Sequence, residues 1–184
     1  NEGGQSALYR MTGPEKTSLL LPRAGAIVQF DLDRSGKRLA YLWGDSTVPA
    51  DAWILDLDKG KPAGPVTHSL LGGIDPRKLS SAKWISYFSV DGRPIYALYL
   101  KPSSLVLGSP PPAVVVVHGG PDYQIFDEFH PLHQALAEAG FAVLAPNFRG
   151  SSGYGQEFLD ANNKDWGGKD LQDLIAGVRR LSEK

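Results

Sequence analysis

Apolar and polar positions fall into two regimes along the chain. Up to about residue 79, short apolar runs are broken every few residues by turn-forming clusters. Residues 7–11 and 18–21 are strand candidates on either side of Thr12-Gly13-Pro14. Residues 27–32 alternate imperfectly, 33–36 supply a turn, and 37–43 run back. After a loop over 44–51, residues 52–57 form another strand and 58–61 a further turn. Short strands at this spacing predict an all-β unit, either a four-stranded propeller blade or a small β-sandwich. One blade with part of another leaves unpaired edges and an uncovered apolar face. The pattern therefore anticipates further sequence upstream. Residues 62–76, rich in Gly and Pro, read as a linker.

Beyond Lys83 the pattern changes. Residues 84–89 and 95–100 flank Val90-Asp91-Gly92-Arg93-Pro94, an Asp-Gly hairpin signal, and 102–112 read as a loop. Residues 113–117 are apolar at every position, which predicts a strand buried on both faces, as in a parallel sheet. His118-Gly119-Gly120-Pro121 follows at once. A helix is predicted over 131–139, with Pro131 in its first turn, Leu132, Leu136 and Ala139 on one side, and Gly140 just past its end. Residues 141–145 read as a second buried strand stopped by Pro146. Strand, glycine loop, helix and strand make a right-handed βαβ unit. Its ligand face lies at the carboxyl ends of the strands, where 118–121 and 147–155 sit. A short helix over 156–163 is broken at Trp166-Gly167-Gly168. The last helix starts near Lys169, with Leu171, Leu174, Ile175, Val178 and Leu181 as its apolar stripe. Asp170 and Asp173 near its start and Arg179 and Arg180 near its end complement the helix dipole. The expectation is an all-β part over 1–79 and an α/β part with a mostly parallel sheet over 80–184.

Composition narrows this picture. The chain has 184 residues, 42% hydrophobic and 21% charged, with a net charge of −1. That is ordinary for a globular protein and gives no broad basic footprint for nucleic acid or anionic lipid. No apolar run approaches the roughly 20 residues of a membrane-spanning helix. There is no cysteine, which excludes disulfides, thiolate catalysis and cysteine zinc sites. That fits either side of a bacterial membrane, and a cytoplasmic setting is favoured. The start at Asn1-Glu2-Gly3-Gly4 and a last helix running to Lys184 without a stop signal read as a fragment of a longer protein.

The candidate chemistry centres on His118-Gly119-Gly120-Pro121. Acyl transfer develops negative charge on a former carbonyl oxygen, and glycine lets backbone N–H groups approach it closely. The same tetrapeptide also suits a plain strand-to-helix turn. No serine lies in a G-x-S-x-G elbow: Ser152 has Gly150 before it but Tyr154 after it, and Ser151 has Arg149 before it. Arg149 reads either as a brace held by a carboxylate or as a substrate contact, and its planar fork favours the brace. Ser151, Ser152 and Tyr154 read as turn residues with exposed side chains. Asp127, Glu128, His130 and His133 lack a specific metal-ligand pattern. Gly168-Lys169 is not a phosphate loop, and 150–155 has the wrong order for a dinucleotide fingerprint. Trp43, Trp53 and Trp84 suit sheet packing.

Three motifs in order, His118-Gly119-Gly120-Pro121, the run 147–155 (Asn-Phe-Arg-Gly-Ser-Ser-Gly-Tyr-Gly) and Asp165-Trp166-Gly167-Gly168-Lys169-Asp170, resemble the prolyl oligopeptidase family of serine peptidases. The acylaminoacyl-peptidase-like branch is the most similar. The resemblance covers 83–184, and the β-rich part resembles the end of that family's N-terminal propeller. Phe148 stands where relatives often have Tyr. The resemblance implies an α/β-hydrolase domain preceded by propeller blades, peptide substrates, a Ser-Asp-His triad and no cofactor. Gly120 is the implied oxyanion donor through its backbone N–H. His118, Gly119, Pro121, Arg149 and Tyr154 support the loop, His118 by ordering it rather than as a triad member. In this fold the triad runs Ser, Asp, His after a later strand, so all three members are expected beyond Lys184. An esterase-like hydrolase and a non-catalytic binding protein on a degenerate hydrolase fold are the alternatives. Homo-oligomer formation is left open.

Overall fold

Three aspartates shape the turns of the first unit. In the computed structural model, which describes residues 3–21, 25–69, 72–102, 110–120 and 122–182, this unit comprises the chain up to Lys78 together with Asp127–Phe129. β1 (Leu8–Gly13) and β2 (Lys16–Leu21) pair antiparallel. β3 (Ala26–Leu32), β4 (Arg38–Asp45), β5 (Val48–Asp56) and β6 (Lys61–Pro65) form a four-stranded antiparallel meander in chain order. The carboxylate of Asp33 accepts the Lys37 and Arg38 N–H groups, that of Asp45 accepts those of Thr47 and Val48, and that of Asp56 accepts those of Asp58 and Lys59. Each satisfies backbone donors that a hairpin end leaves unpaired. Asp45 thereby replaces the expected 44–51 loop by a two-residue turn. The predicted 62–76 linker also differs, because 61–65 is a strand. Prolines are tolerated there because β6 is an edge strand and needs no second set of ladder donors. Leu21, Leu39, Tyr41 and Leu55 form the core, with Trp43 and Trp53 packed against it and edge to face with each other at 5.7 Å.

The second unit comprises Leu79–Phe126 and the chain from His130 on. Its elements are β7 (Ala82–Phe88), β8 (Pro94–Leu100), β9 (Ala113–Val115), α1 (Pro131–Glu138), β10 (Ala142–Asn147), α2 (Gln156–Asp160) and α3 (Lys169–Ser182). The sheet order is β7-β8-β10-β9. β7/β8 and β8/β10 are antiparallel and β9/β10 is parallel, so the sheet is mixed rather than mostly parallel. The Asp-Gly hairpin makes β7 and β8 antiparallel, and β8 in turn runs opposite to β10. One face carries Tyr87, Ile95, Ala97, Leu144, Phe158 and Ala176; the other carries Leu98, Leu100, Val143 and Ala145. No helix among the described residues is long and apolar enough to cross a membrane.

The fully enclosed strand is β10, buried at every position, and not β9. β9 is three residues long and lies at the sheet margin, and Val117 beyond it is 46% exposed. A β-branched run reports side chains suited to a sheet interior but not which edge has a partner. Pro146, expected to stop β10, lies inside it. Ala142 N–H donates to Pro112 and Leu144 C=O accepts from Val116, so even positions of β10 face β9. Pro146 has the same parity and sits past the end of β9, where no ladder donor is needed.

Both long helices are rotated from the faces their leucines predict. α1 buries His133, Gln134 and Ala137 while Leu132 is half exposed. The Gln134 amide pairs with both backbone groups of Ser80, at 2.9 Å each, and turns that side inward. α3 buries Asp173, Ala176 and Gly177, and leaves Leu171 and Val178 45% and 49% exposed. A Cβ on Gly177 would lie 2.7 Å from the Tyr87 hydroxyl and 2.9 Å from Leu144 Cδ2, so the helix rests closer to the sheet than any larger residue permits.

Gly177→Ala is therefore expected to lower stability by about 1–3 kcal/mol through overpacking, despite alanine's helix preference of about 1 kcal/mol. Urea unfolding followed by circular dichroism measures this. An unchanged or raised midpoint would contradict the close approach.

Candidate active site

Two loops leave the carboxyl ends of the parallel pair, 116–126 after β9 and 148–155 after β10. His118 joins them. Its Nε2 lies 2.9 Å from the Ser151 hydroxyl, and its Nδ1 lies 3.2 Å from the Gly119 carbonyl oxygen. Ser151 is fully buried and donates to the Phe148 carbonyl at 2.6 Å. The imidazole stacks on Phe148, centroids 4.6 Å apart, and meets Tyr123 edge-on. A phenylalanine at 148 thus serves as a flat apolar platform for the ring. Burial lowers the His118 pKa, which favours the neutral ring. Gly119 and Gly120 are exposed, and Gly120 has φ +80°, a conformation that favours glycine. The Gly119 carbonyl and Gly120 N–H belong to one planar trans peptide and point oppositely, so the N–H points away from the side on which the carbonyl meets His118. Pro121 lies outside the described residues.

The second loop is anchored by ions. Arg149 Nε and Nη2 donate to the two oxygens of Asp173 at 2.8 and 2.7 Å, and the Arg149 backbone N–H also reaches Asp173. Nη1 and Nη2 donate to Asp91 at 2.8 and 3.0 Å, and Nη2 reaches the Ser89 hydroxyl. Arg149 is 2% exposed, Asp173 0% and Asp91 35%. Hydrogen bonds from Arg149 hold the Asp91 carboxyl well below the usual range, while those to Asp173 and then Asp91 raise the guanidinium further. Arg149 thus faces two carboxylates and not solvent. The sequence reading assigned Asp91 to a turn and Asp173 to the helix dipole and missed both as ion partners. Nothing local marks either one, because the pairing spans 58 and 24 residues.

Ser151 is buried rather than exposed, because its hydroxyl links His118 to Phe148. Tyr154 is half-buried, stacked on Tyr96 at 5.3 Å, and burial pushes its pKa up to about 12. The Tyr154 hydroxyl accepts from Asn147, a residue that the sequence reading did not single out. His130 and His133 stack on each other at 4.3 Å, and burial lowers the His133 pKa to about 4. Asp127 accepts the Ser46 N–H within the first unit. Among the described residues no group of three His, Cys, Asp or Glu side chains is placed to hold a metal ion.

Residues 127–184 match the family model of the prolyl oligopeptidase family. The uncharacterized peptidase YuxL of Bacillus subtilis is 33% identical over 121 residues, 64% of this chain and 18% of that protein. Residues 127–184 are thus a segment of the prolyl oligopeptidase family. Within it, dipeptidyl aminopeptidase BIII of Pseudoxanthomonas mexicana is 45% identical over 71 residues, 39% of this chain and 10% of that one. Among solved structures, the acylaminoacyl peptidase of Pyrococcus horikoshii aligns with a TM-score of 0.83 at 28% identity, covering 98% of this chain and 28% of that chain. An acylaminoacyl peptidase bound to Z-Gly-Gly-Phe-chloromethyl ketone aligns at 0.82 and 27% identity, with the same coverage. The chain thus spans under a third of the length of these family members.

Arg149→Met strands Asp173 in the interior without a counter-charge and is expected to cost about 3–5 kcal/mol. Adding Asp173→Leu should return part of that loss. Urea midpoints of the single and double variants measure both effects, and a single variant as stable as the native chain would contradict the brace.

Proposed function

We propose that this chain is the end of a propeller followed by the first half of an α/β-hydrolase domain, in a serine peptidase of acylaminoacyl- or dipeptidyl-peptidase type that cleaves short peptides. The chain supplies the oxyanion loop. The supporting observation is Gly120, exposed and at φ +80° on a loop at the carboxyl end of a parallel strand pair, with the carbonyl of its own peptide at His118. The named activities of the similar dipeptidyl and acylaminoacyl peptidases support the same reading.

In the proposed reaction, a serine oxygen attacks the substrate carbonyl and its electron pair moves onto the carbonyl oxygen. The Gly120 N–H donates to that oxygen as charge develops, an interaction stronger in the transition state than in the ground state. With the Ser151 proton on the Phe148 carbonyl, the single N–H of a neutral His118 is Nε2–H and donates to Ser151, which fixes the ring beside the Gly119–Gly120 peptide without a hydrogen bond from Nδ1. Ser151 lies beside His118, yet its hydroxyl is buried and committed to Phe148, so it is unsuited to attack. The nucleophile, the acid and the base are assigned to sequence outside these 184 residues.

A fluorophosphonate probe is expected to label the full-length protein, at a serine outside this chain, and to leave the 184-residue chain unlabelled. Gly120→Pro removes the N–H and also moves φ from +80° to about −65° in this exposed loop, so turnover should fall by at least about 10²- to 10³-fold, with a much smaller effect on the unfolding midpoint. An unlabelled full-length protein, or full turnover in the folded variant, would overturn the reading.

A further inference from the structure

The exposed glycines of the first loop are held at two stems. At the near stem, Val116 N–H bonds to Leu144 and His118 contacts Ser151. The far stem is held by Asn147, the last residue of β10 and fully buried. Its Oδ1 accepts the Ile125 N–H at 2.6 Å, and its Nδ2 donates to the Ile125 carbonyl at 3.1 Å and to the Tyr154 hydroxyl at 2.9 Å. One planar amide thus offers Ile125 the donor and the acceptor that a neighbouring strand would offer. Asparagine suits this place because aspartate has no donor when ionised. Two further contacts close the joint. Ser152 N–H donates to the Tyr123 carbonyl at 3.1 Å, and Gly153 lies against the Gln124 side chain with no room for a Cβ.

We infer that Asn147 is a positioning residue for the oxyanion donor. It rests on the reading of Gly120 above and adds a residue to it. Ile125 is five positions from Gly120, so a released far stem lets the donor peptide drift while leaving the rest of the substrate cleft in place. A donor displaced by a fraction of an ångström loses its bond to the transition state and not to the ground state.

The test uses the full-length enzyme carrying Asn147→Asp, which preserves shape and removes the Nδ2 donor. Turnover is expected to fall about ten- to a hundredfold with KM nearly unchanged, and affinity for a peptide aldehyde should fall in parallel. The ratio of variant to native kcat should rise as pH falls through the new carboxyl's pKa, because the protonated acid again donates to Ile125. Native kcat, or a change in KM alone, would overturn the inference while leaving the peptidase reading intact. A native enzyme that neither cleaves peptides nor takes the fluorophosphonate would instead defeat that reading. If Asn147→Asp does not fold, hydrogen exchange in the native enzyme decides. The Ile125 amide should exchange as slowly as the amides of β10, and exchange at the rate of an exposed loop would overturn the clamp.

Discussion

A guanidinium taken out of water must find anions, and Arg149 finds two. Removing each ion from solvent costs several kcal/mol even after relaxation, so the pairing is tolerable only where the fork geometry is met. Asp173 meets it with both oxygens and Asp91 adds a second fork. These groups come from α3, from the hairpin turn between β7 and β8, and from the loop after β10. Three segments distant in sequence are tied at one point beside the carboxyl ends of the strands.

The position of α3 follows from that point. With Asp173 directed inward, Ala176 and Gly177 come to face the sheet, and their small size lets the helix settle on Tyr87 and Leu144. Leu171 and Val178 are then carried outward, so the helix buries its charged and small residues in preference to two of its branched ones. Burial of a paired carboxylate outranks the leucine stripe here, because an unpaired buried charge costs more than an exposed methyl group.

A second device recurs in the same unit. Gln134 pairs with both backbone groups of Ser80, and Asn147 pairs with both backbone groups of Ile125. Each side-chain amide stands in for a missing strand at a place where the sheet ends and a loop begins. The glycines between the stems stay free to turn, while the backbone groups of Ser80 and Ile125 are paired by side chains from outside their own segments.

Local chemistry was legible along the chain. The Asp-Gly hairpin, the proline start and glycine end of α1, the strand spacing of the first unit and the glycine corner after β9 all depend on neighbouring residues and could be read directly. The ordered motifs likewise carried the family. Other features depended on partners far away in sequence. The enclosed strand is β10 and not β9, because edge status belongs to the sheet and not to the run of valines. Pro146 stays in β10 because β9 ends before reaching it. The faces of α1 and α3 were set by Ser80 and Arg149, and the burial of Ser151 by His118. Periodicity records which side chains prefer to leave water, whereas directional hydrogen bonds and ion pairs choose among the orientations that satisfy that preference, and those partners meet only in the folded chain.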